Sequence, residues 1–165
     1  MRSPDETHYA RSLHVGCPFQ GDMGLATVED RLPQRVGHRP AHSWPNGKIA
    51  GPYGELRSSG IKDGHHIIQH AAVRGLPGYK KSRAPAVELP GPSTLVGADH
   101  YAATRVQDMS GGGTYGAERR IGYRALREAG YSQADARAAI KLADDYFIGQ
   151  LGMTFSTPTQ VPGNR

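Results

Sequence analysis

Apolar residues fall on a helical period in only part of the chain. The clearest run is Ala136, Ile140, Ala143, Phe147 and Leu151, which predicts a helix opened by the capping-box-like Ser132-Gln133-Ala134-Asp135 and ending near Leu151. Before it, Ile121, Ala125 and Leu126 give a helix from about Gly116 to Ala129, closed by Gly130. Ala103, Val106 and Met109 give another from about His100 to Met109, with Asp99 as its cap and Gly111-Gly112-Gly113 as its end. Ala86-Val87-Glu88-Leu89 reads as a short strand closed by Pro90-Gly91-Pro92. Ile67, Ile68, Ala71, Ala72 and Val73 form an apolar patch that Gly75, Pro77 and Gly78 terminate.

Upstream the pattern is lost. From Met1 to about Ser59 apolar positions have no period, and Pro4, Pro18, Pro33, Pro40, Pro45 and Pro52 break any long helix, leaving at most one turn at Thr27 to Leu32. The expectation is a loop-rich arm or linker over 1–50 and a folded domain over 51–165. The tail from Thr154, with Pro158, Pro162 and Gly163, is expected to be extended. No internal repeat is visible.

Composition agrees with one compact core and a loop-rich remainder. The chain has 165 residues, 37% of them hydrophobic, with 22 Gly and 12 Pro. A formal charge of +5 favours polyanionic partners. Cys17 is the only cysteine, so an intrachain disulfide and a cysteine zinc site are both excluded. Any metal must fall to His, Asp or Glu. No apolar run nears the roughly 18 residues of a membrane span. Met1 to His14 carries four charged residues and no apolar stretch of the Sec type. The protein is therefore expected to be made in a cytoplasm and exported, if at all, without a Sec signal.

The chemistry concentrates at His65 and His66. Adjacent residues on an extended backbone point to opposite sides, so one imidazole can face a metal and the other a substrate. A cation beside a general base suits phosphodiester hydrolysis. His100, on a predicted helix beyond a strand, can supply a second metal ligand. Lys80, Lys81 and Arg83 form a basic loop, free of acids from Val73 to Val87, that can track a phosphate backbone. Gly111-Gly112-Gly113-Thr114-Tyr115-Gly116 fits G-x-G-x-x-G, but it follows a helix and lies in no βαβ unit, which argues against a dinucleotide site. Two readings of that loop stay open. Either the helix N-terminus and Arg119 and Arg120 hold a backbone phosphate, or the loop is a connector beside a solvated basic face. His8, His14, His38 and His42 lie in the arm and receive no role.

Gly64-His65-His66-Ile67-Ile68-Gln69, the strand Val87-Glu88-Leu89-Pro90, and Asp99-His100-Tyr101 together resemble the HNH/endonuclease VII (His-Me finger) superfamily. More narrowly, they are similar to the GHH-type nuclease domains at the C-termini of bacterial polymorphic toxins. Gly51 to Arg57 and Gly113 to Tyr123 also look like that context, so the likeness covers roughly residues 51 to 165. It implies an α+β fold with a small ββα-metal core and additional helices. It further implies His65 and His100 as ligands of one divalent ion (zinc, nickel, manganese or magnesium) and His66 as general base. The implied activity is DNA hydrolysis by a secreted antibacterial effector, carried for example by type VI secretion and acting in the target-cell cytoplasm. Expected partners are DNA, a cognate immunity protein, and a secretion adaptor or carrier bound through the arm. The family's middle Asn has no counterpart between His66 and His100, which leaves Ser93, Thr94 or a backbone carbonyl to orient the base. The third ligand is open among Asp99, Thr104 and Gln107. Rival readings are a ribonuclease, and a non-catalytic nucleic-acid- or protein-binding module with a structural His-metal site.

Overall fold

The structure, a computed structural model, describes residues 42–43, 47–109 and 111–161. The arm's histidines and the turn expected at Thr27 to Leu32 lie outside these residues, apart from the backbone of His42. The fold is α+β. Four strands, β1 (His42–Ser43), β2 (Ile49–Pro52), β3 (Gly64–His66) and β4 (Pro85–Glu88), form an antiparallel sheet in the order β1-β2-β4-β3. The helices are α1 (Tyr53–Ser58), α2 (His70–Val73), α3 (Asp99–Met109), α4 (Tyr115–Glu128) and α5 (Gln133–Asp144), which continues as a π-helical segment, Asp145–Gln150.

The expectation of irregular chain up to about Ser59 fails over its last ten residues. Ile49 to Pro52 pairs with β4, Ala50 opposite Val87 and Gly51 opposite Ala86. Tyr53 to Ser58 then turns as α1, burying Leu56. A strand of four residues that contains a glycine and ends in a proline carries too little alternation to be seen; its partner lies more than thirty residues away. The strand pair expected to carry a metal site is accordingly part of a four-stranded sheet rather than an isolated pair. The ββα unit is nevertheless plain: β3 pairs with β4, and α3 follows β4.

Periodicity and caps set the helices. Ser132 accepts from the Asp135 N–H, and Thr114 from the Ala117 N–H. Ala136, Ala139, Ile140 and Ala143 of α5 are buried, and with Leu126, Ala125, Tyr115 and Phe147 they form one core against Val87, Ile67 and Ile68. The helix expected to reach Leu151 does so by changing its winding: Leu151 N–H reaches back to Tyr146 O, five residues away. That turn keeps Tyr146 and Phe147 both buried.

The tail is more than extended chain. Tyr115 N–H donates to Thr157 O, Gly116 N–H to Phe155 O, Thr159 N–H to Gly113 O and Gln160 N–H to Ala72 O. It straps the start of α4 to α2, and it consumes the amide hydrogens expected to be open to a phosphate there.

α3 and α4 pack on each other and on the end of β3. Buried Gln107 of α3 donates to His66 O at 3.1 Å and Ile67 O at 3.4 Å. Gly122 of α4 lies so close that a Cβ on it would collide with the Ile67 carbonyl oxygen. Gly122→Ala should therefore destabilise the fold by about 1–3 kcal/mol, the usual range for overpacking. Gly149→Ala meets nothing within 4 Å and should be neutral or stabilising by up to about 1 kcal/mol. Urea unfolding of the two variants checks the contrast, and equal midpoints would refute the contact.

Candidate functional site

β3 places its two imidazoles on opposite sides. Its register sets His65 opposite Val87 and His66 opposite Ala86. His65 turns inward and is 5% exposed. Its ring meets that of His100, from the first turn of α3, edge to face at 5.1 Å between centroids. His65 Nε2 and His100 Nδ1 are buried and have no hydrogen-bond partner among the described residues. An orphaned buried polar atom costs about 1–3 kcal/mol, and two on touching rings are a place where a ligand would offset that cost. Neutral imidazole nitrogens with free lone pairs are donors of the kind transition metals take.

The surroundings keep both rings neutral. Burial, with smaller contributions from His100 and His66, lowers the His65 pKa to about 3. His100 is lowered by burial, against the opposing pull of Asp63 and of the Gly91 backbone. No cluster of three or more His, Cys, Asp or Glu suited to a metal occurs among the described residues. His65 and His100 are the two residues that could hold a cation here. Of the expected third ligands, Gln107 is committed to the backbone of His66 and Ile67, and Thr104 donates to His100 O at 2.8 Å.

His66 faces the other way. Its ring stacks on Tyr53 of α1 at 4.3 Å between centroids, and a side chain at position 64 would press on that tyrosine, whose ring lies 3.2 Å from a Cβ built there. Nε2 lies 3.4 Å from Lys81 O. A carbonyl only accepts, so Nε2 carries the hydrogen and Nδ1 is left with its lone pair. The backbone carbonyl of Lys81 thus stands where the sequence offered Ser93, Thr94 or a carbonyl. Burial lowers the His66 pKa to about 4; the Lys81 carbonyl opposes this, while the charges of Lys81 and His70 add to it.

The basic residues divide. Lys80, Lys81 and Arg83 are exposed, and the Lys81 ammonium lies 5.4 Å over the Tyr53 ring, at the edge of the His66 site. Arg119 is engaged: it forms a two-pronged pair with Asp144, Nε to Oδ1 and Nη2 to Oδ2 both at 2.9 Å, and Tyr115 donates to the same carboxylate at 2.8 Å. Arg120 points outward, and with Arg119, Tyr123 and Arg124 it lines a shallow groove. Sequence reasoning gave no role to Tyr53, His70 and Tyr79 around the site, and it offered Gln107 as a third ligand rather than as the brace of β3 that it is. Only an aromatic or a histidine near the pair in sequence hinted at them.

A histidine pair on one strand of a ββα unit, with a third histidine on its helix, defines a compact imidazole site of the kind that HNH-type nucleases build. The chain belongs to the family of HNH/Endo VII superfamily toxins with an SHH signature, whose model matches residues 59–148, more than half of the chain. Here the residue before the two histidines is Gly64. No curated protein and no solved structure matches the chain.

The lowered pKa values make stability depend on pH. In the unfolded chain these imidazoles bind protons near pH 6.5, whereas folded His65 and His66 resist down to about 3 and about 4. Between those limits the unfolded state holds more protons, so stability falls as pH falls below 6.5. Metal-stripped protein should lose urea resistance steadily from pH 7 to 5, and His65→Gln should show a shallower decline. Midpoints that do not move over that range would contradict the burial of neutral imidazoles.

Proposed function

We propose that this nuclease-superfamily toxin domain is a metal-dependent endonuclease that hydrolyses DNA phosphodiesters. The observation that carries the reading is the pair of orphaned ring nitrogens, His65 Nε2 and His100 Nδ1, beside a strand whose next residue turns a lone pair outward. His65 and His100 hold the cation, which when bound supplies charge neutralisation at a phosphate oxygen. His66 is neutral at pH 7, accepts a proton from the attacking water at Nδ1, and is held in place by Lys81 O and the Tyr53 ring. A substrate phosphate beside it raises its proton affinity from the low value of the free site. Lys80, Lys81 and Arg83 contact the strand near the cut, and Arg120, with Arg119 at its side, contacts phosphates further away. In the same reading the domain acts in a target cell after secretion, the segment 1–50 serves as carrier or adaptor contact, and a cognate immunity protein protects the producer. No helix among the described residues is long and apolar enough to cross a membrane.

Plasmid nicking should require a divalent ion, stop with EDTA and return on adding single metals. His66→Ala should lose about 10²–10⁴-fold in kcat, the range for a positioned base, with metal content and folding intact. His65→Ala should lose metal and activity together. Full cleavage by His66→Ala would end the base assignment. Cleavage of RNA alone would move the substrate class, and metal binding without cleavage of either would favour a structural site.

Arg120→Glu should weaken DNA binding and flatten its dependence on log salt by about one unit, as for a lost phosphate contact, at little cost in stability. Arg119→Glu should in addition lower the melting temperature, because it leaves Asp144 facing a like charge. An unchanged salt slope for Arg120→Glu, measured by fluorescence anisotropy, would return α4 to a solvated face.

A further inference from the structure

His70 is a third imidazole at this site, and the division of labour above gives it nothing to do. It opens α2, four residues after the pair, and its ring centroid lies 6.0 Å from that of His66. Its Nδ1 lies 2.9 Å from the Tyr79 hydroxyl, and the two rings stack at 5.6 Å between centroids. Tyr79 is itself held, stacked on buried Phe147 at 6.3 Å. Burial keeps the phenol protonated, far above its ordinary range. The phenol therefore has a hydrogen that it can give to Nδ1, and in the tautomer that accepts it the ring carries its own hydrogen on Nε2.

In that tautomer the imidazole is clamped on one edge by Tyr79 and presents a donor N–H on the other. The charges of Lys81 and Arg74 bear on its ring, and Lys81 also bears on His66. This side of β3 thus gathers His66, His70 and Lys81, with no carboxylate among the groups found to act on either ring. Of these, the His70 Nε2–H and the Lys81 ammonium are suited to an anion, beside the open lone pair of His66. The metal-facing histidines lie on the opposite side of the strand, so an anion here would be gripped from a second direction.

We propose that His70, oriented by Tyr79, is a substrate ligand that donates from Nε2 to a phosphate oxygen of the nucleic-acid strand at the His66 side of the site. This rests on the nuclease reading. His70 binds and aligns the phosphate, while His66 takes the proton from water; no bond is made or broken at His70. Tyr79 is a positioning residue that acts through His70.

The test is steady-state cleavage of a duplex oligonucleotide in the activating metal, with melting temperatures measured in parallel. His70→Ala should raise KM and lower kcat/KM by about 10–100-fold, the scale of a hydrogen bond to a charged group. His70→Gln, whose amide N–H reaches near the Nε2 position, should recover part of the loss. Tyr79→Phe keeps both ring stacks and removes only the hydroxyl; it should lower kcat/KM by about 3–10-fold, less than removal of the ligand itself. In a His66→Ala background that does not cut, His70→Ala should weaken duplex binding by a similar factor. If the wild type cleaves and His70→Ala matches it in KM and kcat/KM, the proposal is wrong and the nuclease reading stands. A loss confined to kcat, with unchanged duplex binding and no rescue by Gln, also overturns it. If His70→Ala does not fold, an unchanged KM and kcat/KM for Tyr79→Phe does the same. If the wild type cuts no nucleic acid with any metal, the nuclease reading falls and takes this inference with it.

Discussion

The side-chain amide of Gln107 bonds the carbonyls of both His66 and Ile67, and that contact fixes where two imidazoles point. Adjacent side chains on a strand alternate, so a slip of one residue would exchange His65 and His66 between the buried pair with His100 and the open face beside Tyr53. A three-residue strand has few ladder bonds with which to resist such a slip. The resistance comes from outside the sheet: Gln107 ties β3 to α3, and the bare Cα of Gly122 lets α4 close against Ile67. The helices are thus a clamp on the register of the strand that carries the chemistry.

That clamp explains the balance of polar burial. Gln107 sits at 5% exposure and is satisfied, whereas His65, equally exposed, and His100 leave ring nitrogens unpaired. The fold spends a glutamine on holding a strand and leaves two ring nitrogens bare on imidazoles that touch edge to face. Glu118 is a second case, 1% exposed with one oxygen unpartnered against the Gly111-Gly112-Gly113 loop, and its pKa is raised to about 7 by burial, with the Gly113 backbone opposing. It stands alone, without a second ligating group in view, and its place at the start of α4 is one of packing.

What was legible in the sequence follows from the range of the forces involved. The stripe from Ala136 to Phe147, the cap at Ser132 and the His65-His66 alternation are local, and periodicity or side-chain chemistry exposes them directly. The β2 strand was hidden because it is stabilised by β4, not by itself. Tyr53 against His66, Gln107 against the β3 carbonyls and Arg119 against Asp144 join residues thirteen to forty-one positions apart, and nothing local distinguishes Arg119 from Arg120. The Lys81 carbonyl against His66 is hidden more deeply still, since a backbone atom can make that contact from any residue type.

The C-terminal strap decides how the basic surface can be used. By giving Phe155 O and Thr157 O to the first amides of α4, it removes the anion-binding end of that helix from play. Asp144 then draws Arg119 down onto the body of the fold, where its guanidinium lies 5.6 Å over the Phe155 ring. Two of the features that made α4 look like a phosphate cradle are spent on holding the tail. The positive potential left for a polyanion lies on the Lys80 to Arg83 loop and on outward residues such as Arg120. Of these, only the loop touches the His66 side of β3. In the proposed reading, a nucleic-acid strand following that loop would meet His66 on the Tyr53 side of β3, opposite the buried His65–His100 pair.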